Sequence, residues 1–186
     1  MSNAFSLLGL PRIAALDDDA LQQAWLAASR SAHPDQPGGD AIRAAEINTA
    51  YETLQAPEKR LKHLLELHSV PWRTVPINEA MMSLFSKLGP ALQSTTAFLK
   101  RKQNATAALA KALLAQEEMR LREQLEDLGA TLDAERTTLL ASLPAYDARL
   151  SAGDMTALAD LQILQAHLAY FGKWQAQVRE ALLGLM

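Results

Sequence analysis

The 186-residue chain contains no cysteine. That removes disulfides, thiolate metal sites and cysteine nucleophiles at once, and it is consistent with a reducing compartment. Aromatic residues are scarce, at 5% of the chain, so any core must be built mainly from the aliphatic part of the 49% hydrophobic content. No apolar run approaches the ~20 residues that a bilayer-spanning helix needs. The first helical segment starts too close to residue 1 to leave room for a signal or transit peptide, so the expected location is the cytoplasm. Neither sign of charge dominates: 18 Lys and Arg stand against 21 Asp and Glu, with 6 against 9 in residues 1–68 and 12 against 12 in residues 69–186. Neither half has the positive excess that binding to nucleic acid by counterion release requires, and no membrane partner is expected. Four scattered histidines form no metal-ligand set, no glycine-rich phosphate loop occurs, and no serine sits in a recognisable nucleophile setting. Neither an enzyme nor a cofactor-binding protein is expected.

Alternation of strand period is also missing, and what is present is helical spacing throughout. Asn3 is placed to cap a short first helix that Gly9-Leu10-Pro11 ends. Asp17-Asp18-Asp19 then opens a second helix, with carboxylates at the positive end of its dipole. Leu21, Trp25 and Ala28 recur along that helix to about Ser31. It must stop there, because Pro34 has no amide donor and disfavours the α region in the residue before it. After the loop Gln36-Pro37-Gly38-Gly39, Asp40 caps a third helix to about Leu54, with Ala44, Ile47, Ala50, Tyr51 and Leu54 on one face. A loop this short demands an antiparallel hairpin. Pro57 starts a fourth helix through Leu61, Leu64, Leu65 and Leu67. Two prolines and no helical period make 71–76 a linker. Beyond it Met81, Met82, Leu84, Phe85 and Leu88 predict a helix ended by Gly89-Pro90. Leu121, Leu125, Leu128, Leu132 and Leu139 predict long helical segments interrupted at Pro144. After a turn at Ser151-Ala152-Gly153, Leu158 to Leu182 predict a last helix.

The loop between the second and third helices carries His33-Pro34-Asp35. An imidazole as base and a carboxylate as its orienter can be written down for it, but the proline between them directs the two side chains apart. The flanks say more. A bulky aromatic lies eight residues before the histidine (Trp25) and an arginine three before it (Arg30). Ile47-Asn48-Thr49-Ala50-Tyr51-Glu52-Thr53-Leu54 and Pro57-Glu58-Lys59-Arg60 follow at set offsets. Together these residues resemble a J-domain, the module by which co-chaperones engage a DnaK-type chaperone. The resemblance implies that Arg30, His33, Pro34 and Asp35 meet that chaperone. Where J-domains have larger residues this chain has Ala28, Ala32 and Ala44, so a smaller hairpin core supported from elsewhere is expected. The lysine that usually follows the tripeptide is Gln36, and the second helix has no basic residue except Arg30. The alternative is therefore a J-like interaction or assembly protein that no longer activates a chaperone.

A J-domain, a short linker and a helical bundle in fewer than 200 residues resemble the HscB/Jac-type co-chaperones of iron–sulfur cluster assembly. Gly9-Leu10-Pro11 and Leu64-Leu65-Glu66-Leu67-His68 are similar to stretches of that family. The resemblance implies an all-α protein with a J-domain over residues 1–70, a linker over 71–76 and an antiparallel bundle over 77–186. Its expected partners are a DnaK/HscA-type chaperone and the iron–sulfur cluster scaffold. Met82 falls at the methionine of the family's Met-Glu-x-x-Glu signature, which lies beside apolar residues that touch the scaffold, though its acidic residues are missing here, and Ala169-Tyr170-Phe171-Gly172-Lys173-Trp174 is a loose counterpart of an aromatic stretch. A scaffold contact over Met81, Met82, Phe85, Tyr170 and Phe171 needs these side chains exposed; the plain alternative is that they are core. Lys100-Arg101-Lys102 reads as a solvated face, and His63, His68 and His167 as ordinary surface or core-edge residues.

Overall fold

A computed structural model of the chain describes residues 3–32, 40–105 and 108–186. The fold is all-α; among the described residues there is no strand, and no helix is long and apolar enough to cross a membrane. The helices are α1 (Ala4–Leu7), α2 (Asp18–Ala32), α3 (Ala41–Gln55), α4 (Pro57–Leu67), α5 (Glu79–Asn104), α6 (Ala108–Ala141), α7 (Leu143–Ser151) and α8 (Ala157–Gly184). Their ends follow local chemistry. Asn3 accepts the Phe5 amide, Asp40 accepts the Ile42 amide, Asn78 accepts the Met81 amide, and Pro57 and Pro144 sit in the first turns of α4 and α7. Gly153 turns the chain after α7 with φ of 84°, a conformation a Cβ would strain.

One boundary differs from the sequence expectation. The helix expected to end at Gly89-Pro90 runs through both, and α5 continues to Asn104. The residue before a proline is pushed out of the α region partly through its Cβ, which Gly89 lacks. Leu88, Ala91, Thr95 and Phe98 carry one buried stripe across the junction, so tertiary packing outweighs the missing proline donor.

Packing groups residues otherwise than a linear division at 71–76. One compact unit comprises Met1–Thr74 with Leu139–Leu168; the other comprises Val75–Thr138 with Ala169–Met186. In the first unit, Phe5 of α1 and Leu8 at its C-cap, Leu21 and Ala32 of α2, Ile47, Ala50 and Leu54 of α3, and Leu61, Leu64 and Leu65 of α4 share one core with Leu143, Leu161, Leu164 and Leu168. Each fully buried leucine contributes about 1.5–3 kcal/mol, so this late segment supplies apolar area that the alanine-rich hairpin lacks. Polar contacts bind the same parts. Both oxygens of Asp147 accept the amides of Ala14 and Ala15, at 2.7 and 2.8 Å. The buried Arg60 donates to the carbonyls of Ala14 and Leu54. Gln162 donates to Pro71 O, Gln165 to Glu58 O and Arg73 to Ala159 O.

The second unit is a three-helix bundle of α5, α6 and the second half of α8. Gln175 donates to Asp133, a Cβ at Gly129 would meet Val178, and Arg122 donates to Leu185 O. As one number falls the other rises, so α6 and α8 run antiparallel. Phe85 beside Trp174 and Leu99 beside Gly184 set α5 parallel to α8. Leu121, Leu125, Leu128 and Leu132 of α6, with Phe98 and Val178, fill the interior.

His63 is buried, its Nε2 accepts the Ala4 amide at 3.1 Å and its ring stacks on Phe5 at 5.8 Å. Only the neutral imidazole can accept that bond. Burial lowers the His63 pKa below its usual 6.5, against the opposing pull of Glu66 and with help from Arg12. The unfolded chain therefore binds more protons at this site than the folded one. Stability should be at its full value above pH 6.5 and fall as pH drops through the lowered folded value; denaturant titrations of wild type and His63→Gln, which keeps an acceptor but does not titrate, check this. Asp147→Ala should lower the unfolding free energy by roughly 2–4 kcal/mol, because two charge-assisted bonds are lost and two backbone amides are left unpaired.

Candidate functional site

The tripeptide His33-Pro34-Asp35, and Gln36 after it, lie outside the described residues, but both ends of their loop are defined. Asp40 donates its amide to Ala32 O at 3.2 Å while its side chain caps α3 through the Ile42 amide at 3.0 Å. The last residue of α2 and the first cap of α3 are thus clasped together, and Ala32 is fully buried at that junction. Arg30 is exposed in the last turn of α2, where a cation also complements the negative end of the helix dipole.

Two turns back from the loop, the hairpin is held by one aromatic residue. Trp25 stacks on Tyr51 with ring centroids 4.7 Å apart and planes at 26°, and its indole N–H donates to Asn48 Oδ1 at 3.0 Å. The outer face of α2 presents Gln22, Gln23, Leu26, Ala27 and Arg30 to solvent. This face is largely neutral, with Arg30 as its single cation.

The residues expected to form a scaffold contact separate in the second unit. Met82 and Phe85 are 52% and 51% exposed and Tyr170 is 39% exposed, whereas Met81 and Phe171 are only 2% and 3% exposed. The expectation that all five are accessible therefore does not hold for Met81 and Phe171. On α5, Met81 stands at i, i+7 and i+10 spacing with the buried Leu88 and Ala91, and Met82 is turned about 100° away. On α8, Phe171 continues the buried stripe of Leu164, Leu168 and Val178, and Tyr170 falls beside it. Trp174, the last residue of the aromatic stretch, is buried and joins the exposed rings. It contacts Phe85 at 6.0 Å, Tyr170 at 5.9 Å and Phe171 edge-on at 5.7 Å. The i, i+4 spacing of Tyr170 and Trp174 is the one sequence signal that links them. An exposed apolar surface with a rigid aromatic floor can receive apolar side chains of a partner.

The other candidates have local roles. Arg101 pairs with Glu117 and Lys102 with Glu118, and Arg101 lies over the Phe98 ring. His68 is exposed, whereas His63 and His167 are buried.

No family model matches the chain. The co-chaperone protein HscB homologue of Cupriavidus taiwanensis is 34% identical to it over 138 residues, which is 70% of this chain and 77% of that protein. The HscB homologue of Chromobacterium violaceum is 40% identical over 74 residues, 36% of this chain and 42% of that protein. Among solved structures, the chaperone HscB from Vibrio cholerae superposes with a TM-score of 0.61 at 25% identity, covering 100% of both chains.

Proposed function

Because the chain belongs to the HscB family of co-chaperones, we propose that it stimulates the ATPase of a DnaK/HscA-type chaperone through His33-Pro34-Asp35. We propose further that it delivers a client, the iron–sulfur cluster assembly scaffold, through its second compact unit. In this reading residues 1–70 are the J-domain, 71–76 the linker, and 77–186 the part that carries the client surface. The observation that carries the proposal is the clasped base of the loop. The Asp40–Ala32 hydrogen bond and the Asp40 cap hold the ends of α2 and α3 together, close in sequence to the exposed Arg30 in the last turn of α2. The protein supplies no chemistry of its own. It binds one state of the partner ATPase better than the other and so shifts the population toward hydrolysis. Asp35 would form a charge-assisted pair with an arginine of the chaperone, His33 would hydrogen-bond, and Pro34 would fix the bend that offers both. The client surface is Met82, Phe85 and Tyr170, with Phe85 and Tyr170 against the buried Trp174, which Phe171 meets edge-on; Met81 is buried and takes no part in it.

A second reading has its own support. With Gln36 after the tripeptide and Arg30 as the one cation of α2, the hairpin has little charge for an acidic surface to attract, as in a J-like interaction or assembly protein that does not activate a chaperone. Steady-state ATPase assays with the cognate chaperone separate the two. Under the first reading the wild type stimulates hydrolysis, while His33→Gln and Asp35→Asn do not, with unchanged far-UV circular dichroism and thermal midpoint. Equal stimulation by either variant would replace the first reading with the second. For the client surface, the double variant Met82→Ala/Phe85→Ala should weaken scaffold binding at least about tenfold, as loss of an interface anchor does, and leave client-free ATPase stimulation intact. Unchanged scaffold affinity in a titration would remove the client surface from this face.

A further inference from the structure

The α2–α3 interface is poor in shape. Ala28 and Ala32 of α2 and Ala44 of α3 are among the residues these helices give to the core, where the larger buried side chains are Leu21, Ile47 and Leu54. Alanine against alanine gives close approach but few interlocking surfaces, so it resists separation of two helices better than it resists sliding or rotation. Something directional must set the register, and Trp25 is gripped from α3 at two points. Tyr51 stacks on its ring, and Asn48, three residues earlier on the same helix face, accepts its indole N–H. The stack tolerates sliding; the hydrogen bond does not. An indole nitrogen only donates, so the Asn48 amide must turn its oxygen toward Trp25, which fixes the side chain's orientation.

We infer that Asn48 is a positioning residue for chaperone activation: through Trp25 it sets the angle of α3 to α2, and with it the disposition of Arg30 and of the two loop ends, Ala32 and Asp40. The inference rests on the function proposed above and adds to it a residue outside the loop. Asn48 is exposed, and an exposed neutral hydrogen bond contributes little to folding, so its loss should leave the hairpin folded but distributed over several registers. If only a fraction of molecules holds the competent register, the apparent dissociation constant rises by the inverse of that fraction, while the bound complex is unaltered.

The test is an ATPase titration of the full chain against the cognate chaperone, reading the half-stimulating concentration and the maximal rate separately. Asn48→Leu should raise the half-stimulating concentration about two- to tenfold at unchanged maximal rate and unchanged thermal midpoint. Trp25→Phe, which keeps a stacking ring and loses the N–H, should do the same, and the double variant should be no worse than either single one. Asn48→Asp, which keeps an acceptor oxygen, should restore the wild-type half-stimulating concentration. Additive effects of the two substitutions would mean that Asn48 touches the chaperone directly and would overturn the inference, as would an unchanged half-stimulating concentration in both single variants. His33→Gln run in parallel keeps the two levels apart. If it stimulates like the wild type, the proposed function fails and takes the inference with it. If it is silent while Asn48→Leu behaves like the wild type, the inference alone fails.

Discussion

Ala14 is fully buried in the segment between α1 and α2, where no helix satisfies its backbone, and the first compact unit is built around the groups that do. Its amide and that of Ala15 go to the carboxylate of Asp147, and its carbonyl goes to the guanidinium of Arg60. A buried peptide group left unpaired costs about as much as a hydrogen bond is worth, or more, so the segment can stay inside only while both partners are present. Arg60 comes from α4 and also takes the Leu54 carbonyl at the end of α3. Asp147 comes from α7, more than a hundred residues away. One buried peptide thereby ties α3, α4, α7 and the α1–α2 connection into a single body, and the apolar core grows around that point.

The α2–α3 hairpin has little core of its own. With Ala28, Ala32, Ala44 and Ala50 among its core residues, it gains less from burial than a hairpin with larger residues would, and the leucines of α7 and the first half of α8 make up the area. The same economy of side chains leaves the helix register to polar and aromatic contacts, Trp25 with Tyr51 and Asn48 and Asp40 with Ala32. Support and register are thus set separately. Residues far along the chain supply the hairpin's core, and a few residues on the hairpin fix α2 against α3.

In the second unit the exposed aromatic surface arises because its rings are layered. Trp174 and Phe171 are buried and keep their geometry, while Phe85 and Tyr170 lie over Trp174 with about half or less of their surface exposed. A ring held on one side by packing loses little conformational freedom when a partner covers the other side. Exposure alone does not make such a surface: Trp72, at 81% exposed, has no ring contact with another aromatic residue among those described.

The sequence by itself determined the helices, the hairpin and the family resemblance, because these depend on neighbours in the chain. A cap is one side chain reaching the amide two or three residues on, as at Asn3 and Asp40; a stop is one proline; an apolar stripe is a spacing of three and four. Tertiary structure alone decided which of two adjacent apolar residues faces inward, Met81 rather than Met82 and Phe171 rather than Tyr170, since a rotation of about 100° along a helix changes the face without changing the composition. It also decided that α5 passes through Pro90, where a buried stripe on both sides outweighs a local breaker. The Asp147–Ala14 and His63–Ala4 bonds join residues 133 and 59 positions apart. No window of sequence holds both ends of such a bond, and what selects the partner is the need to satisfy a peptide group that only the assembled core has taken out of water.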